Sequence, residues 1–340
     1  ESTMLGIWIF GWNKLSKKMH LLAGWLVVLG THLSAVWIIA ANGFMQNPVG
    51  YVLRNNRAEL VNFWEVLFNP YAWYMYIHTI FACYSVGAFF ILAVSAYHLL
   101  RRQNVDMMKA SVRIATVFAV IATLGNAITG HFNGRNVAIR QPTKLAAMEA
   151  LWESGSNVGM PLIVVPDAAN ERNAVELLKI PGLTSWLAYG STDAYVQGLK
   201  DVPPAERPPV APTFWSFRLM VGVGVLMLLL AVLALWHERK GTLMERKTLL
   251  KFLHWSFPLP YISTTLGWMV AEVGRQPWTV YGLITTSDSV SPVALADVVT
   301  SVALVVIFYA ILVGLDVYLL VRYAKAGPEA MDERQAAVAD

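Results

Sequence analysis

The chain has 340 residues, of which 56% are hydrophobic and only 14% are charged, and its mean hydropathy is +0.49. This composition excludes an ordinary soluble globular domain and places the chain in a lipid bilayer. The formal net charge of +4 does not indicate a nucleic-acid partner, because Lys and Arg lie in short clusters between apolar runs. The single cysteine, Cys83, excludes a disulfide framework and any metal site built from cysteines alone.

Six apolar runs are each long enough to cross a bilayer, since a membrane-spanning helix needs ~20 residues. A shorter apolar stretch that ends at Trp12 comes before them and predicts part of another span. We therefore predict an all-α integral membrane protein in which residues 1–340 form a single membrane domain, with six full transmembrane helices and one partial N-terminal helix. The six runs cover residues 20–42, 72–100, 111–130, 213–236, 248–271 and 292–321.

Lysine and arginine cluster on alternate connections between these runs. Cytoplasmic loops of membrane proteins carry an excess of these residues, so one topology places every cluster on the cytoplasmic side. The opposite side then receives residues 43–71, 131–212 and 274–291. The clusters are Lys14, Lys17 and Lys18; Arg101, Arg102 and Lys109; Arg239, Lys240, Arg246, Lys247 and Lys251; and Arg322 with Lys325.

Residues 131–212 are the long insertion on the extracytoplasmic side, and they contain the pairs Pro203-Pro204 and Pro208-Pro209. Loops of this length without regular structure are usually functional or disordered. We predict an extracytoplasmic loop that carries a site and that includes a helical patch over residues 143–153. A plain linker is the alternative.

Two side chains inside the predicted spans could bind a haem iron. His78 lies six residues, or ~9 Å, into a span that starts on the outer side, and Met220 lies seven residues, or ~10 Å, into another. A low-spin haem needs two opposed axial ligands, which a His and a Met at matched depth can supply. The alternative is that Met220 is one of thirteen methionines that fill gaps in the packing.

Charged residues lie near the outer ends of two spans. Arg218 could neutralise a haem propionate, or it could be an arginine whose stem lies in the membrane interface. Glu272 ends a span and is followed by a helix-breaking segment with Gly274 and Pro277. Its carboxylate could ligate a high-spin iron or accept protons; the alternative is a solvated helix end paired with Arg275.

Glu1 begins the partial span and is predicted near mid-bilayer, ~18 Å above the inner edge. An uncompensated carboxylate is costly there, so we predict that it protonates, binds a cation or a haem edge, or belongs to a water-lined proton path. Ser34 in the next helix lies at a compatible depth, although buried serine hydroxyls usually bond to their own helix backbone.

Lys144 and Glu149 flank the sequence Leu-Ala-Ala-Met in the long loop, which predicts an amphipathic helix lying against the membrane. Such a pair could hydrogen-bond the hydroxyl of a quinol and take its proton, while a solvated surface pair is the alternative. Nucleotide-binding loops, zinc-protease signatures and serine nucleophile elbows do not occur in a usable context, so any chemistry is expected to be redox.

Five short sequences, in this order and topology, resemble cytochrome bd-type quinol oxidase subunit I over nearly the whole chain. The set is specific, whereas any one member is not. The sequences are Trp37-Ile-Ile-Ala-Ala-Asn42-Gly43-Phe-Met-Gln46-Asn47-Pro48, Ile77-His78-Thr79, Lys144-Leu-Ala-Ala-Met-Glu149, Phe217-Arg218-Leu-Met220 and Gly274-Arg275-Gln276-Pro277-Trp278.

The resemblance implies roles for the outer-side residues. His78 and Met220 match the two ligands of the low-spin haem b, and Arg218 matches an arginine beside that haem. Lys144 and Glu149 are similar to the residues of the quinol-binding loop. This loop would occupy residues 131–212.

The resemblance also implies roles in oxygen reduction. Glu272 matches the carboxylate at the high-spin haem b, Arg275 would bind a haem nearby, and Trp268 matches an aromatic residue between haems. Glu1 is similar to a glutamate near the high-spin haems on the proton route. Ser34 matches a hydroxyl on that route.

The function implied is that of a terminal quinol:oxygen oxidoreductase in the bacterial cytoplasmic (inner) membrane. Electrons would pass from quinol near the outer face through the low-spin haem b to the high-spin haem b and to a haem d or a further haem b. Dioxygen would be reduced with cytoplasmic protons, which generates membrane potential without pumping. The implied partners are quinol, dioxygen, lipid, a second large membrane subunit and a very small single-helix subunit.

Two departures from the family pattern qualify these expectations. Family members have two further helices and the start of a third before the position of Glu1, and these supply a His ligand and a Glu to the oxygen-reducing site. The loop is short and resembles that of the short quinol-loop branch, some members of which are cyanide-insensitive. Two other functions are kept as alternatives: a transporter or channel, although no inverted repeat is found, and a scaffold that retains only the low-spin haem.

Overall fold

The computed structural model describes residues 1–55 and 57–327, and most of these residues are helical. The described helices are α1 (Ser2–Phe10), α2 (Lys17–Gln46), α3 (Phe63–Leu67), α4 (Pro70–Leu100), α5 (Val105–Arg140), α6 (Pro142–Glu149), α7 (Leu183–Tyr189), α8 (Val210–Arg239), α9 (Lys247–Trp255), α10 (Pro258–Val273) and α11 (Leu295–Ala326).

Five spans in the described residues are long and apolar enough to cross a membrane: α2, α4 together with α3, α5, α8 and α11. The prediction of a mainly helical membrane protein is thereby confirmed. The sixth predicted span, residues 248–271, is divided into α9 and α10. Pro258 has no N–H to donate to the carbonyl four residues earlier, and Pro260 follows at once, so one continuous helix cannot form there.

The described strands form four antiparallel pairs, all outside the five long spans. The pairs are β1 (Tyr51–Arg54) with β2 (Arg57–Leu60), β3 (Gly155–Ser156) with β6 (Tyr195–Val196), β4 (Met160–Asp167) with β5 (Arg172–Ile180), and β7 (Trp278–Val280) with β8 (Ile284–Thr285). In the β4–β5 hairpin, Met160 lies opposite Ile180 and Asp167 lies opposite Arg172. Much of its apolar surface, including Leu162 and Leu177, is exposed.

The predicted long loop is more ordered than expected. Helix α5 continues to Arg140, so the first residues of the predicted loop, 131–140, are helical. The predicted helical patch over residues 143–153 ends at Glu149, because Ala150 adopts a left-handed conformation with a φ of 49°. Its N–H is directed at the carbonyls of Ala146 and Ala147, which closes the helix.

Local sequence explains where α4 begins and how closely it lies to α2. Asn69 precedes Pro70, and its side chain accepts a hydrogen bond from the Tyr71 N–H while donating to the Gly43 carbonyl. A Cβ at Gly43 would come within 2.4 Å of the Ala72 Cβ. The two helices can therefore approach only because residue 43 is glycine.

The described chain divides into two compact units. The first contains Glu1–Phe81, Asn126–Arg218 and Gly267–Thr286. Its core includes Ile39, Tyr71, Met75, Val137, Leu145 and Val270.

The second unit contains Ala82–Gly125, Leu219–Leu266 and the described residues from Ser287 onward. Its core is rich in alanines, among them Ala88, Ala96, Ala115, Ala119 and Ala231, which pack with Phe89, Leu92 and Leu250. Small residues let helices approach closely in a membrane, where lipid is as apolar as the side chains. Within the described part of the chain, no residue of α11 is buried.

Candidate functional site

The predicted quinol residues lie on α6, a helix of the first unit whose residues 144–149 are all buried. This differs from the predicted amphipathic helix lying against the membrane. Ala146 and Ala147 belong to one packed cluster with Leu199 and Phe214, while Leu145 belongs to another cluster that includes Val270. Helix α6 therefore has packed side chains all around it and is an internal element of its unit.

Lys144 lies at one side of α6 with a relative exposure of only 2%. Its Nζ donates to Gln46 Oε1 at 2.7 Å and to the carbonyl of Ala271 at 3.2 Å. The pKa of Lys144 is lowered to about 7, mainly by burial and also by the positive charge of Arg275, while the carboxylate of Glu272 acts in the opposite direction. The ammonium is thus close to its titration point at neutral pH.

Glu149 has a different partner, Arg218, which lies eight residues after the start of α8. Arg218 Nη2 donates to Glu149 Oε2 at 2.7 Å, and the side chains are 20% and 5% exposed, respectively. Burial raises the pKa of Glu149 to about 7, although the charge and hydrogen bond of Arg218 act to lower this pKa. Lys144 and Glu149 are therefore two buried ionisable groups with separate partners.

Glu272 lies at the end of α10 and is held on two sides. Asn42 Nδ2 donates to Glu272 Oε1 at 2.7 Å, and Arg275 Nη2 donates to Oε2 at 2.5 Å. The ion pair of the alternative interpretation is present, with the Arg275 side chain 5% exposed and the Glu272 side chain 38% exposed, so the role of Glu272 stays a prediction. Trp268, one turn earlier, packs against the core that contains Val270.

Three residues at this site were not assigned roles from sequence: Asn42, Gln46 and Gln141. Gln46 and Gln141 are fully buried, and Gln141 Nε2 donates to Gln46 Oε1 at 3.1 Å. Asn42 and Gln46 are four residues apart at the end of an apolar helix, which places both amides on one face. That spacing of polar side chains in an apolar run was the signal that could have identified them.

His78 is held from one side by helix α5. Its Nδ1 lies 3.1 Å from Thr129 Oγ1, and a Cβ at Gly130 would come 3.1 Å from its Cε1. An imidazole that is held through one ring nitrogen presents the other nitrogen to a metal, as in most histidine–metal sites. The arrangement fits an axial haem ligand through Nε2.

Met220 belongs to the second unit, in which its carbonyl accepts a hydrogen bond from Ser263 Oγ at 3.4 Å. Because α8 begins at Val210, Met220 lies ten residues after the helix start, and His78 lies eight residues after Pro70. Both side chains are deeper in their helices than predicted. Their pairing about one iron stays a prediction.

The two arginines of the site fit the acidic groups of haem. Arg218 Nε, Arg275 Nε and Arg275 Nη1 are buried and have no hydrogen-bond partner among the described residues. A buried guanidinium N–H without an acceptor is costly, and haem propionates are carboxylate acceptors of the kind that arginine binds best. The residues present therefore fit a bound haem at this site.

No hydrogen bond joins Glu1 to Ser34 among the described residues. Glu1 Oε1 instead accepts a hydrogen bond from Thr31 Oγ1 at 3.2 Å, and Ser34 is an exposed residue one turn further along α2. Thr31 Oγ1 also lies 3.0 Å from the carbonyl of Val27, so its single proton is shared between the two acceptors. The hydroxyl that contacts the Glu1 carboxylate is thus that of Thr31, which was not considered from sequence.

Comparison with known proteins gives consistent matches. The family model described as cytochrome bd terminal oxidase subunit I matches residues 1–328. The cytochrome bd ubiquinol oxidase subunit 1 of Bacillus subtilis (strain 168) is 40% identical over 340 residues, which cover 97% of this chain and 72% of the relative. The cytochrome bd-II ubiquinol oxidase subunit 1 of Escherichia coli (strain K12) is 35% identical over 404 residues, with 98% and 78% covered.

A solved structure, that of the bd oxidase from Geobacillus thermodenitrificans, is also similar. Its chain superposes with a TM-score of 0.86 at 29% sequence identity, over 96% of this chain and 75% of the other. The fold comparison and the sequence comparisons therefore match the chain to the same family of proteins.

Proposed function

The chain belongs to the family of cytochrome bd terminal oxidase subunit I and is thus a membrane subunit of a haem-containing quinol oxidase; on this premise we propose how its residues serve the reaction. Quinol is oxidised beside α6, where Lys144 donates a hydrogen bond to the substrate and Glu149 takes a proton from it. One observation carries this proposal: both groups are buried, and the pKa of each is displaced to about 7. Groups with such a pKa exchange protons efficiently at neutral pH.

The ion pair with Arg218 returns the Glu149 carboxyl to its charged form, in which it can accept the next proton. Oxidation of a quinol to a quinone releases two electrons and two protons, so Glu149 must accept and release a proton twice in each turnover. The guanidinium, 2.7 Å from the carboxylate, favours its charged form and thereby the release of the proton toward the outer side. Arg218 is the more exposed member of the pair, so quinol approaches from its side.

The haems, when bound, supply the path along which electrons pass from quinol to dioxygen. His78 and Met220 would hold the low-spin haem b, with Arg218 bound to a propionate. Glu272 would ligate the high-spin haem b, with Arg275 as a further haem-binding residue. A haem d or another haem b completes the set.

Protons for oxygen reduction come from the cytoplasmic side in this proposal. Glu1 and Ser34 would serve the proton route, and Trp268 would be the aromatic residue beside the bound haems. Releasing quinol protons outside and consuming others from inside generates membrane potential without pumping. The basic clusters, such as Lys14, Lys17 and Lys18, would face the cytoplasm.

The assembly proposed is that of a bd oxidase in the bacterial cytoplasmic membrane. Because bd oxidases are multi-subunit complexes, a second large membrane subunit is the implied partner, and we add a very small single-helix subunit. The quinol-binding loop, proposed over residues 131–212, lies on the outer face. Its short length is the reason that we propose the short quinol-loop branch for this chain.

Quinol-dependent oxygen uptake by the whole complex tests the quinol site. Lys144→Met and Glu149→Gln are each expected to lower the rate at least ~100-fold, the range for a lost proton-transfer group. Lys179→Met and Glu153→Gln are matched controls, because both residues are exposed and lie in the same loop. Unchanged uptake in Lys144→Met and Glu149→Gln would exclude α6 as the quinol site.

A further inference from the structure

Gln46, the last residue of α2, is fully buried between the proposed quinol residue Lys144 and the end of α10. Its Oε1 accepts from Lys144 Nζ at 2.7 Å, and its Nε2 donates to the carbonyl of Ala271 at 3.0 Å. The chemistry of these partners fixes the orientation of the amide. An ammonium group can only donate and a backbone carbonyl can only accept, so a flipped amide would lose both bonds.

The side-chain amide of Gln141 also holds Gln46 in place. Gln141 Nε2 donates to the backbone carbonyl of Gln46 at 2.5 Å and to its Oε1 at 3.1 Å, while Tyr71 Oη donates to Gln141 Oε1 at 3.4 Å. All three side chains are buried. Because these side chains are buried, losing one of the contacts leaves a buried polar group without a partner.

The other end of the Gln46 amide reaches the proposed haem carboxylate. Gln46 Nε2 lies 3.5 Å from Glu272 Oε1, the oxygen that also accepts from Asn42 Nδ2 at 2.7 Å. One uncharged side chain thus contacts the buried ammonium of Lys144 on one side and the backbone and carboxylate of the Ala271-Glu272 segment on the other.

We propose that Gln46 is a positioning residue that fixes Lys144 for quinol binding and, through the same amide, fixes the Ala271-Glu272 segment on the haem side. The proposal rests on the quinol role of Lys144 put forward above. Leucine at position 46 would leave the Lys144 ammonium with one acceptor, the Ala271 carbonyl. Glutamate would keep the shape and the acceptor for Lys144, but it would lose the donor to Ala271 and would add a negative charge beside both that ammonium and Glu272.

The experiment uses the whole complex carrying Gln46→Leu, Gln46→Glu or Gln103→Leu. Gln103 is an exposed glutamine of the second unit and serves as the matched control. Three quantities are measured: KM against kcat for quinol, the pH profile of kcat/KM, and the reduced-minus-oxidised haem spectrum with its midpoint potentials. Lys144→Met is measured beside them.

For Gln46→Leu we expect the quinol KM to rise about tenfold or more, the range for a lost hydrogen bond to a charged group. For Gln46→Glu we expect the alkaline limb of the pH profile to move to higher pH. The new carboxylate favours the charged form of Lys144, whose other charged neighbours are Arg275 and Glu272. Both variants are expected to shift the high-spin haem signals, whereas Gln103→Leu changes nothing.

Two different failures can be told apart. If Lys144→Met oxidises quinol normally, the proposed quinol site is wrong. If Lys144→Met is impaired but both Gln46 variants keep the wild-type KM, pH profile and haem signals, the positioning role of Gln46 is overturned. Gln46→Glu is nearly the same shape as the native residue, so it still decides the matter if Gln46→Leu does not assemble.

Discussion

Arg218 donates to Glu149 from Nη2 at 2.7 Å, while its Nε is buried without a hydrogen-bond partner among the described residues. The Arg218 guanidinium therefore binds the Glu149 carboxylate through Nη2, and its Nε–H can donate to a second acceptor. A haem propionate is the acceptor that we propose. The same side chain would then link the proton acceptor of the quinol site to the first haem.

Replacing Arg218 tests this link. Arg218→Gln removes the charge that lowers the pKa of Glu149, so that pKa rises above about 7 and the acid limb of the activity profile moves to higher pH. We expect at least a ~10-fold loss of quinol oxidation at pH 7, a typical cost for a partner of a buried ion pair. Arg218→Lys keeps the charge, so a pH profile displaced equally in both variants would contradict the argument.

The buried Glu149 also predicts a pH dependence of stability. Its pKa is raised from 4.5 to about 7 in the folded protein, so the folded state binds more protons than the unfolded state between these values. Stability from this group is greatest below pH 4.5 and declines as pH rises to about 7. The Tm of Glu149→Gln relative to wild type should therefore increase over that interval and level off above it. A Tm difference that does not vary with pH would contradict burial of this carboxyl.

The axial ligands are tested by optical spectra of the purified complex. His78→Ala and Met220→Leu are each expected to remove the low-spin haem b band from the reduced-minus-oxidised spectrum while leaving the high-spin bands. Met227→Leu, a buried methionine of the second unit, is the control and should retain all bands. An unchanged low-spin band in both ligand variants would exclude the pair.

The contacts of Thr129 and Gly130 with His78 lead to a further prediction. Gly130→Ala adds a methyl group 3.1 Å from His78 Cε1, so the ring must shift by a few tenths of an ångström. Thr129→Val removes the hydroxyl 3.1 Å from Nδ1, and loss of such a partner typically costs ~10-fold or more in metal affinity. We expect a displaced low-spin band in Gly130→Ala and reduced haem retention in Thr129→Val. Thr123→Val, whose hydroxyl bonds only to its own helix, is the control.

The proton route can be tested by comparing two hydroxyls of α2. Thr31 donates to Glu1 at 3.2 Å, whereas no hydrogen bond joins Ser34 to Glu1 among the described residues. Thr31→Val should therefore slow oxygen reduction severalfold at saturating quinol, with the quinol KM unchanged. Ser34→Ala should have the smaller effect, and the reverse order would support the serine assignment made from sequence.

The spans were predictable because their signal is local: about twenty consecutive apolar residues can be read from the chain directly. The division between α9 and α10 was missed, because residues 248–271 were predicted as one span, although Pro258 and Pro260 were the signal for it. The β4–β5 hairpin was harder, because Pro161 and Pro166 argue against a strand; the structure accommodates Pro166 with a register shift beside Val165.

The contacts of the site could not be predicted in the same way. Lys144 and Gln46 are 98 residues apart, and Gln46 and Ala271 are 225 apart. No local pattern specifies that these segments meet. A glutamine at the end of an apolar helix could equally lie at the membrane–water interface, exposed to solvent. The candidate residues themselves were identified by charge in an apolar setting and by the family resemblance, whereas their partners required the fold.

The tip of the β4–β5 hairpin has a practical consequence for experiments on this protein. Residues 168–170 are exposed, and the polar contacts of Asn170 are to the neighbouring Asp167. Exposed tips with local bonding tolerate insertions, whereas α6, packed on every side, does not. An affinity tag or a fluorophore placed at the tip would label the same loop that carries Lys144 and Glu149 without entering their surroundings.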